Sequence, residues 1–195
     1  MKALKIIGIV IVALVVLIGV IGMAISDKAS LERSIVIDAP IAKVYNEANT
    51  FNNIFEWSPW TKIDPNMTTE FSGPEYGVGA KYDWNSEDPN VGIGSQEILE
   101  SREPDYVKTE MVFAIPGKFY AEFILTPEGE GTHVTWTYKG RVDGFFWKFL
   151  MLGIDSQLGP SYEQGLVDFK TYIEALPDPA PEVVEVAAEE EIIEE

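Results

Sequence analysis

The sequence contains no cysteine and only one histidine, His133. Without thiols there can be no disulfide bond, no iron–sulfur cluster, no thiolate nucleophile and no zinc site built from cysteine and histidine. A serine-hydrolase triad would have to use His133 alone. Composition leaves open a calcium or magnesium site made entirely of carboxylates, but no residue set stands out as one. We therefore predict no catalytic residue, no metal and no cofactor.

Basic residues are also scarce, with 14 Lys and Arg against 32 Asp and Glu in 195 residues, for a formal net charge of -18. Binding to nucleic acid requires clusters of Lys and Arg that release counterions. The sequence has no basic stripe, so we predict no nucleic-acid partner. The same balance argues against broad docking on anionic lipid headgroups. The length allows one domain, or one domain plus appendages.

One apolar run, Ile6 to Ile25, carries no charge and no hydroxyl. As a helix it would span about 30 Å, the thickness of a bilayer core. It predicts that residues 1–28 form an N-terminal transmembrane anchor and that the membrane is a partner through residues 6–25. A cleaved signal peptide is the alternative, although its apolar core is usually shorter. Because Lys2 and Lys5 precede the run, we expect a single-pass topology with a cytoplasmic N-terminus and the domain outside, periplasmic or extracellular.

The last segment, residues 177–195, contains three prolines within its first five residues, and it carries eight acidic side chains and no base. Prolines interrupt helices, and like charges oppose compaction. We expect a disordered acidic tail.

Between these segments, residues 29–176 are expected to fold as one α+β domain. A helix follows Pro40, a short helix or loop covers residues 49–60, and a long C-terminal helix starts near Pro160. The segment 93–101 has an ambiguous alternation, because Glu97 and Glu100 fall on opposite faces, and a bulge would resolve it. Seven strand-like runs are separated by turn signals: 31–38, 68–71, 80–84, 93–101, 106–113, 119–125 and 132–139.

Alternation along the strands predicts an inner face, because neighbouring side chains point to opposite sides of a sheet. Outward charges such as Lys108, Glu122 and Lys139 place aromatic and apolar side chains inside. We expect one volume under the C-terminal helix to be lined by Tyr82, Trp84, Met111, Phe113, Phe123 and Trp136. The same set could instead fill a solid core, which is the commoner outcome for apolar stripes.

Four local patterns resemble a known family. They are Ile35-Val36-Ile37-Asp38-Ala39-Pro40, Trp57-Ser58-Pro59-Trp60, Gly131-Thr132-His133-Val134-Thr135-Trp136, and Asp155 with Gly159, Glu163, Gly165-Leu166 and Lys170. With the order of elements, they resemble the START-like (SRPBCC) superfamily, and within it polyketide cyclase/dehydrase-type bacterial members. The resemblance implies a helix-grip fold, in which a curved antiparallel sheet wraps around a long C-terminal helix and a hydrophobic cavity lies between them. It does not imply cyclase chemistry.

The resulting functional prediction is a membrane-anchored binding domain for a lipid or another hydrophobic small molecule. One alternative is an enzyme (cyclase, dehydratase or hydrolase) acting on an apolar substrate in the same cavity, which Glu97 or Glu100 pointing inward would favour. The other is an interaction domain with a filled core and no ligand. The predicted ligand-binding residues are Trp57, Trp60, Tyr82, Trp84, Thr109, Met111, Phe113, Ala121, Phe123, Trp136, Tyr138 and Leu166.

A few other positions carry weaker expectations. His133 is predicted on the solvent side of its strand, and Asp64 before Pro65 is predicted as a turn residue. Asp155 and Glu163 are expected on different faces if Gly159-Pro160 breaks the helix. The apolar stretch Phe145–Leu152 is either core, or a lid or membrane contact.

Overall fold

The computed structural model describes residues 2–177. Apart from Pro177, the predicted acidic tail lies outside these residues. The first element, α1 (Lys2–Ala24), is one continuous helix with only Gly22 buried. It is the only helix within residues 2–177 that is long and apolar enough to cross a membrane, a test that a signal sequence would also pass.

The body of the protein is one antiparallel sheet with the strand order β1-β7-β6-β5-β4-β3-β2. All seven predicted strands are present, which confirms the α+β, helix-grip class. The pairing register shifts between Ile98 and Glu100, as the ambiguous alternation of that segment suggested. The strands are β1 (Lys28–Ile37), β2 (Thr68–Ser72), β3 (Lys81–Asn85), β4 (Ile93–Arg102), β5 (Tyr106–Phe113), β6 (Gly117–Glu128) and β7 (Gly131–Val142).

Helices cover the inner face of the sheet, and the core lies between the two layers. They are α2 (Ile41–Ala48), α3 (Ile54–Trp57), α4 (Pro59–Ile63), a 3₁₀ segment (Phe146–Met151) and α5 (Ile154–Ala175). Pro40 precedes α2 as its cap, and Pro59 opens α4, where a missing N–H costs nothing.

The start of α5 differs from the expectation. The helix begins at Ile154, directly after Gly153 in a left-handed conformation (φ 72°), and Pro160 lies inside it. A proline this far into a helix removes one backbone hydrogen bond. The turn before it is retained because Ile154 is buried and Leu158 packs against the core. The Gly159-Pro160 pair therefore does not break the helix.

One consequence is that Asp155 and Glu163 share a face with Gly159, which corrects the expectation of separate faces. Arg33 of β1 reaches both carboxylates, with Nη1 2.9 Å from Asp155 Oδ1 and Nε 2.7 Å from Glu163 Oε1. A side chain at Gly159 would overlap the Arg33 guanidinium, so glycine leaves the space for it. The hydrogen bond from Arg33 lowers the pKa of the Asp155 carboxyl. These groups join α5 to the sheet.

The structure also decides between the two interpretations of Phe145–Leu152. None of the residues in the 3₁₀ segment is buried, and only Met151 packs against the core, so most of this stretch is not core. Phe146 is 77% exposed and Leu152 is 51% exposed. The ring of Phe145 lies against Gly22, near the end of α1. A large apolar segment is thus open to solvent beside the N-terminal helix.

Candidate functional site

A cavity of about 170 Å³ lies between the sheet and the helices. Strands β3, β4, β5 and β7 contribute its floor, because alternation turns every second side chain of each strand inward. The first turns of α5, the α3–α4 junction and the loop from β3 to β4 close the other sides. The lining residues are Ser58, Trp60, Met67, Tyr82, Trp84, Asn90, Val91, Gln96, Met111, Phe113, Tyr138, Leu158 and Tyr162.

A short chain of hydrogen bonds runs from the cavity into the sheet. The Tyr82 hydroxyl donates to Gln96 Oε1 at 3.4 Å, and Gln96 Nε2 donates to Thr109 Oγ1 at 2.7 Å. The Thr109 hydroxyl in turn donates to the carbonyl oxygen of Ala121 at 3.3 Å. These hydrogen bonds fix the Gln96 side chain among apolar residues, with its amide at the cavity wall.

Two further phenols, Tyr138 and Tyr162, line the same space. Burial raises the pKa of Tyr138 to about 12 and the pKa of Tyr162 well above its usual range. Both side chains are therefore protonated at neutral pH. Neither makes a hydrogen bond to any residue in the described range 2–177, so both hydroxyls can donate to a polar atom of a bound molecule.

Carboxylate, imidazole and ammonium groups are missing from the described lining. Glu97 lies opposite Glu110, and Glu100 is 3.0 Å from Lys108 Nζ; both belong to the outer face. Neither points into the cavity. His133 lies on β7 opposite Val36, away from the lining residues.

Metal binding finds no support in this part of the chain either. No group of three or more His, Cys, Asp or Glu in residues 2–177 could hold a metal ion. Asp64 accepts hydrogen bonds from the Ser86 hydroxyl and the Asn66 backbone N–H, which fits its predicted turn role.

Six of the twelve predicted ligand-binding residues line the cavity: Trp60, Tyr82, Trp84, Met111, Phe113 and Tyr138. Thr109 lies one hydrogen bond behind it. The other five are outside the lining, in a filled part of the core: Trp57, Ala121, Phe123, Trp136 and Leu166. Alternation alone had predicted that Phe123 and Trp136 line the same open volume as the other residues. This prediction is wrong, because both side chains lie in the filled part of the core.

The filled part is closed by ring contacts. The Trp57 ring lies 4.7 Å from Phe169, 5.7 Å from Trp136 and 6.0 Å from Phe123, measured between centroids. Trp136 also stacks on Tyr162 at 4.0 Å, which forms the boundary with the cavity. The Trp57 indole N–H is buried without a hydrogen-bond partner in the described structure.

Sequence reasoning missed several lining residues, most notably Gln96, Leu158 and Tyr162. A signal for Gln96 was present, because an outward Glu97 requires an inward neighbour. Leu158 was missed because the helix was expected to start after it.

Comparison with known proteins agrees with this architecture. Residues 28–174 match the family model described as polyketide cyclase / dehydrase and lipid transport. No curated protein matches the chain significantly. A protein from Chromobacterium violaceum is 17% identical with a TM-score of 0.55, over 76% of this chain and 98% of its own.

Two other solved structures have the same fold at lower identity. Norcoclaurine synthase from Thalictrum flavum, solved with dopamine and hydroxybenzaldehyde, is 12% identical (TM-score 0.55, 77% of this chain, 90% of its own). The di-domain ARO/CYC StfQ of the steffimycin biosynthetic pathway is 11% identical (TM-score 0.55, 75% of this chain, 51% of its own). At these identities the likeness concerns the fold.

Proposed function

The chain belongs to the polyketide cyclase/dehydrase and lipid transport family, and from that premise we propose that it is a membrane-anchored domain that binds a hydrophobic small molecule or the apolar part of a lipid. The observation that carries the proposal is the cavity of about 170 Å³ with its mostly apolar and aromatic lining. A filled-core interaction domain would leave no such space.

The volume limits what can be bound. An engineered apolar cavity of about 150 Å³ accepts benzene, whereas drug-sized ligands occupy roughly 300–1,000 Å³. The cavity as it stands fits one ring or a short stretch of acyl chain. A larger ligand requires part of the cavity wall to move outward, and this wall includes Asn90 and Val91 of the loop from β3 to β4.

The polar groups indicate the chemistry of the ligand's polar end. Gln96, Tyr138 and Tyr162 offer donors, which suit a carbonyl, ester or hydroxyl oxygen. The described lining contains no Lys or Arg to compensate a buried negative charge, and an uncompensated charge is costly to bury. The bound part of the ligand is therefore uncharged.

Binding without chemistry is favoured over an enzymatic role. A general base needs a pKa near the working pH. The described lining contains only tyrosine as a titratable group, and burial raises the pKa values of Tyr82, Tyr138 and Tyr162. These phenols act as donors, so no lining residue accepts a proton near neutral pH.

The proposed attachment is through α1, retained in the mature protein with the domain outside the cytoplasm. Its 23 residues match the length needed to cross a bilayer. We expect N-terminal sequencing of the membrane fraction to start at or near Met1, and protease added to spheroplasts to remove the domain. A mature chain that starts at Asp27 would contradict the anchor, and protection from protease would reverse the topology.

Native mass spectrometry of the full chain, released from detergent after purification from membranes, tests the binding. We expect a non-covalent adduct that is lost in Val91→Trp, because an indole at this position fills the cavity. The matched control is Val112→Trp, which adds the same bulk on the outer face of β5, where Val112 is exposed. Equal adducts in both variants would show that the molecule is bound elsewhere, and no adduct in the unmodified chain would contradict binding.

A further inference from the structure

Three basic residues stand side by side at one end of the sheet. Lys28 of β1 pairs directly with Arg141 of β7, and Arg141 pairs directly with Lys118 of β6. Directly opposed residues share a face, with Cβ atoms about 5 Å apart, and like charges in such positions are destabilising. In a chain of net charge -18, this basic rung is not explained by folding.

The rung is only partly neutralised. Arg141 lies 3.2 Å from Asp27 and 3.7 Å from Asp143. Lys28 and Lys118 form no salt bridge with any residue of the described range 2–177. Positive charge therefore remains at this corner of an acidic protein.

The basic rung lies close to the C-terminal end of α1. The helix ends at Ala24, four residues before Lys28. Four residues reach at most about 14 Å even when fully extended. If α1 crosses a bilayer, the rung lies at or just above the headgroup layer, which is roughly 5–8 Å thick on each side.

The exposed 3₁₀ segment lies at the same end. It begins four residues after Val142, the end of β7, and Phe145 contacts Gly22 of α1. Its exposed side chains include Trp147, and tryptophan is enriched where proteins meet the membrane interface. An apolar segment beside a basic rung is the combination that binds a charged lipid surface.

We propose that the basic rung and the exposed side chains Phe146, Trp147, Leu150 and Leu152 form one docking surface for a bilayer that contains anionic phospholipid. This inference rests on the proposed anchor. The surface seats the domain on the membrane from which α1 emerges. It is narrow, so it agrees with the expectation that so acidic a protein does not dock broadly on anionic lipid.

The docking surface also determines which end of the cavity faces the bilayer. Phe113, at the end of β5, Val91, between β3 and β4, and Leu158, in the first turns of α5, all lie at the sheet end from which α1 emerges. A domain docked in this way therefore holds this end of its cavity towards the bilayer. The acidic Glu87 and Asp88 are at this end too, but on the loop after β3, three strands from β6.

The absence of cysteine makes a direct test possible. Phe146→Cys is labelled with an environment-sensitive fluorophore, and the full chain is reconstituted into vesicles of zwitterionic phospholipid with phosphatidylglycerol and a doxyl-labelled lipid quencher. The control is Glu128→Cys, at the last residue of β6 and at the opposite end of the sheet. We expect strong quenching at position 146 and none at 128. Equal, weak quenching at both positions overturns the proposal.

Charge is tested with the same label. Removing two basic residues near an anionic surface lowers the equilibrium constant for docking by about thirtyfold. K28Q/K118Q should therefore shift the domain away from the bilayer and reduce the quenching at position 146. The matched control K81Q/K108Q removes two lysines from the outer face at the opposite end and should leave quenching unchanged. Equal quenching in the two double variants overturns the role of the rung.

Flotation of the vesicles separates this proposal from the anchor. A chain that does not float with vesicles contradicts the proposed anchor. A chain that floats but shows no quenching at 146 contradicts the docking surface alone. Retention of the native adduct by K28Q/K118Q would show that binding in the cavity is intact.

Discussion

The inner face of the sheet has two regions that look alike in sequence and differ in structure. In the filled region, Trp57, Phe123, Trp136 and Phe169 meet ring against ring. In the open region, Tyr82, Trp84, Met111 and Phe113 surround a cavity. Both regions come from the same alternation of aromatic and apolar side chains, so alternation determines which side chains face inward and not whether they meet.

The filled and open regions differ in the elements that lie over them, which we call the cover of each region. Over the filled region, α3 inserts Trp57, and the C-terminal half of α5 adds Phe169 and Ile173, both fully buried. Over the open region lie the first turns of α5, the α3–α4 junction and the loop from β3 to β4. Two of the side chains that cover the cavity there, Leu158 of α5 and Val91 of the loop, are smaller than an indole and leave space.

The largest expected effect comes from truncation in the filled region. Phe169→Ala should lower the free energy of unfolding by about 3–5 kcal/mol, because a closely packed site cannot collapse around the lost ring. Phe113→Ala, in the open region, should cost clearly less, since one side of its ring already faces a void. Urea unfolding of the full chain in detergent measures both.

The comparison between these two variants is decisive because they delete the same atoms. Equal losses of stability would mean that the open region is as tightly packed as the filled one. In that case the cavity would not persist in solution.

A medium effect is expected from adding bulk in the filled region. Ala121 is 3% exposed and pairs with Thr109 and Tyr138 on the neighbouring strands. Ala121→Trp should destabilise the domain by about 1–3 kcal/mol or more through overpacking. Val91→Trp, which adds an indole over the open region, should cost less, and thermal unfolding compares the two. A stable Ala121→Trp chain with an unstable Val91→Trp chain would reverse the assignment of the two regions.

Much of the fold was predictable because its signals are local. Outward charges such as Lys108 and Glu122 placed their strand neighbours correctly, and the clash between Glu97 and Glu100 indicated the register shift in β4. The START-like resemblance supplied the arrangement of sheet and helix, which the structure confirms.

The site was harder to predict because it depends on contacts between distant elements. The continuation of α5 through Pro160 needs the packing of Ile154 and Leu158, which no local pattern shows. The basic rung was invisible as well, since Lys28, Lys118 and Arg141 are far apart in sequence and become neighbours only through the register of three strands.

The smallest expected effect concerns the ion pair that holds the cover of the open region. Arg33 binds Asp155 and Glu163, which flank the part of α5 over the cavity, so Asp155→Asn should loosen these turns and leave the helix around Phe169 unchanged. The pKa of Asp155 is lowered in the folded protein. The stability that the ionised Asp155 contributes through Arg33 is therefore fully present above the ordinary carboxyl pKa of about 4. It is lost as the pH falls through the lower pKa that Asp155 has in the folded protein.

Hydrogen exchange along α5 at neutral and acidic pH measures this effect locally. At neutral pH we expect faster exchange near Leu158 in Asp155→Asn than in the unmodified chain, with equal exchange near Phe169. The two proteins should become alike at acidic pH, because protonation removes from the unmodified chain the charge that the variant already lacks. If the variant instead exchanges faster along the whole of α5, the cover is not a separate unit, and the open and filled regions loosen together.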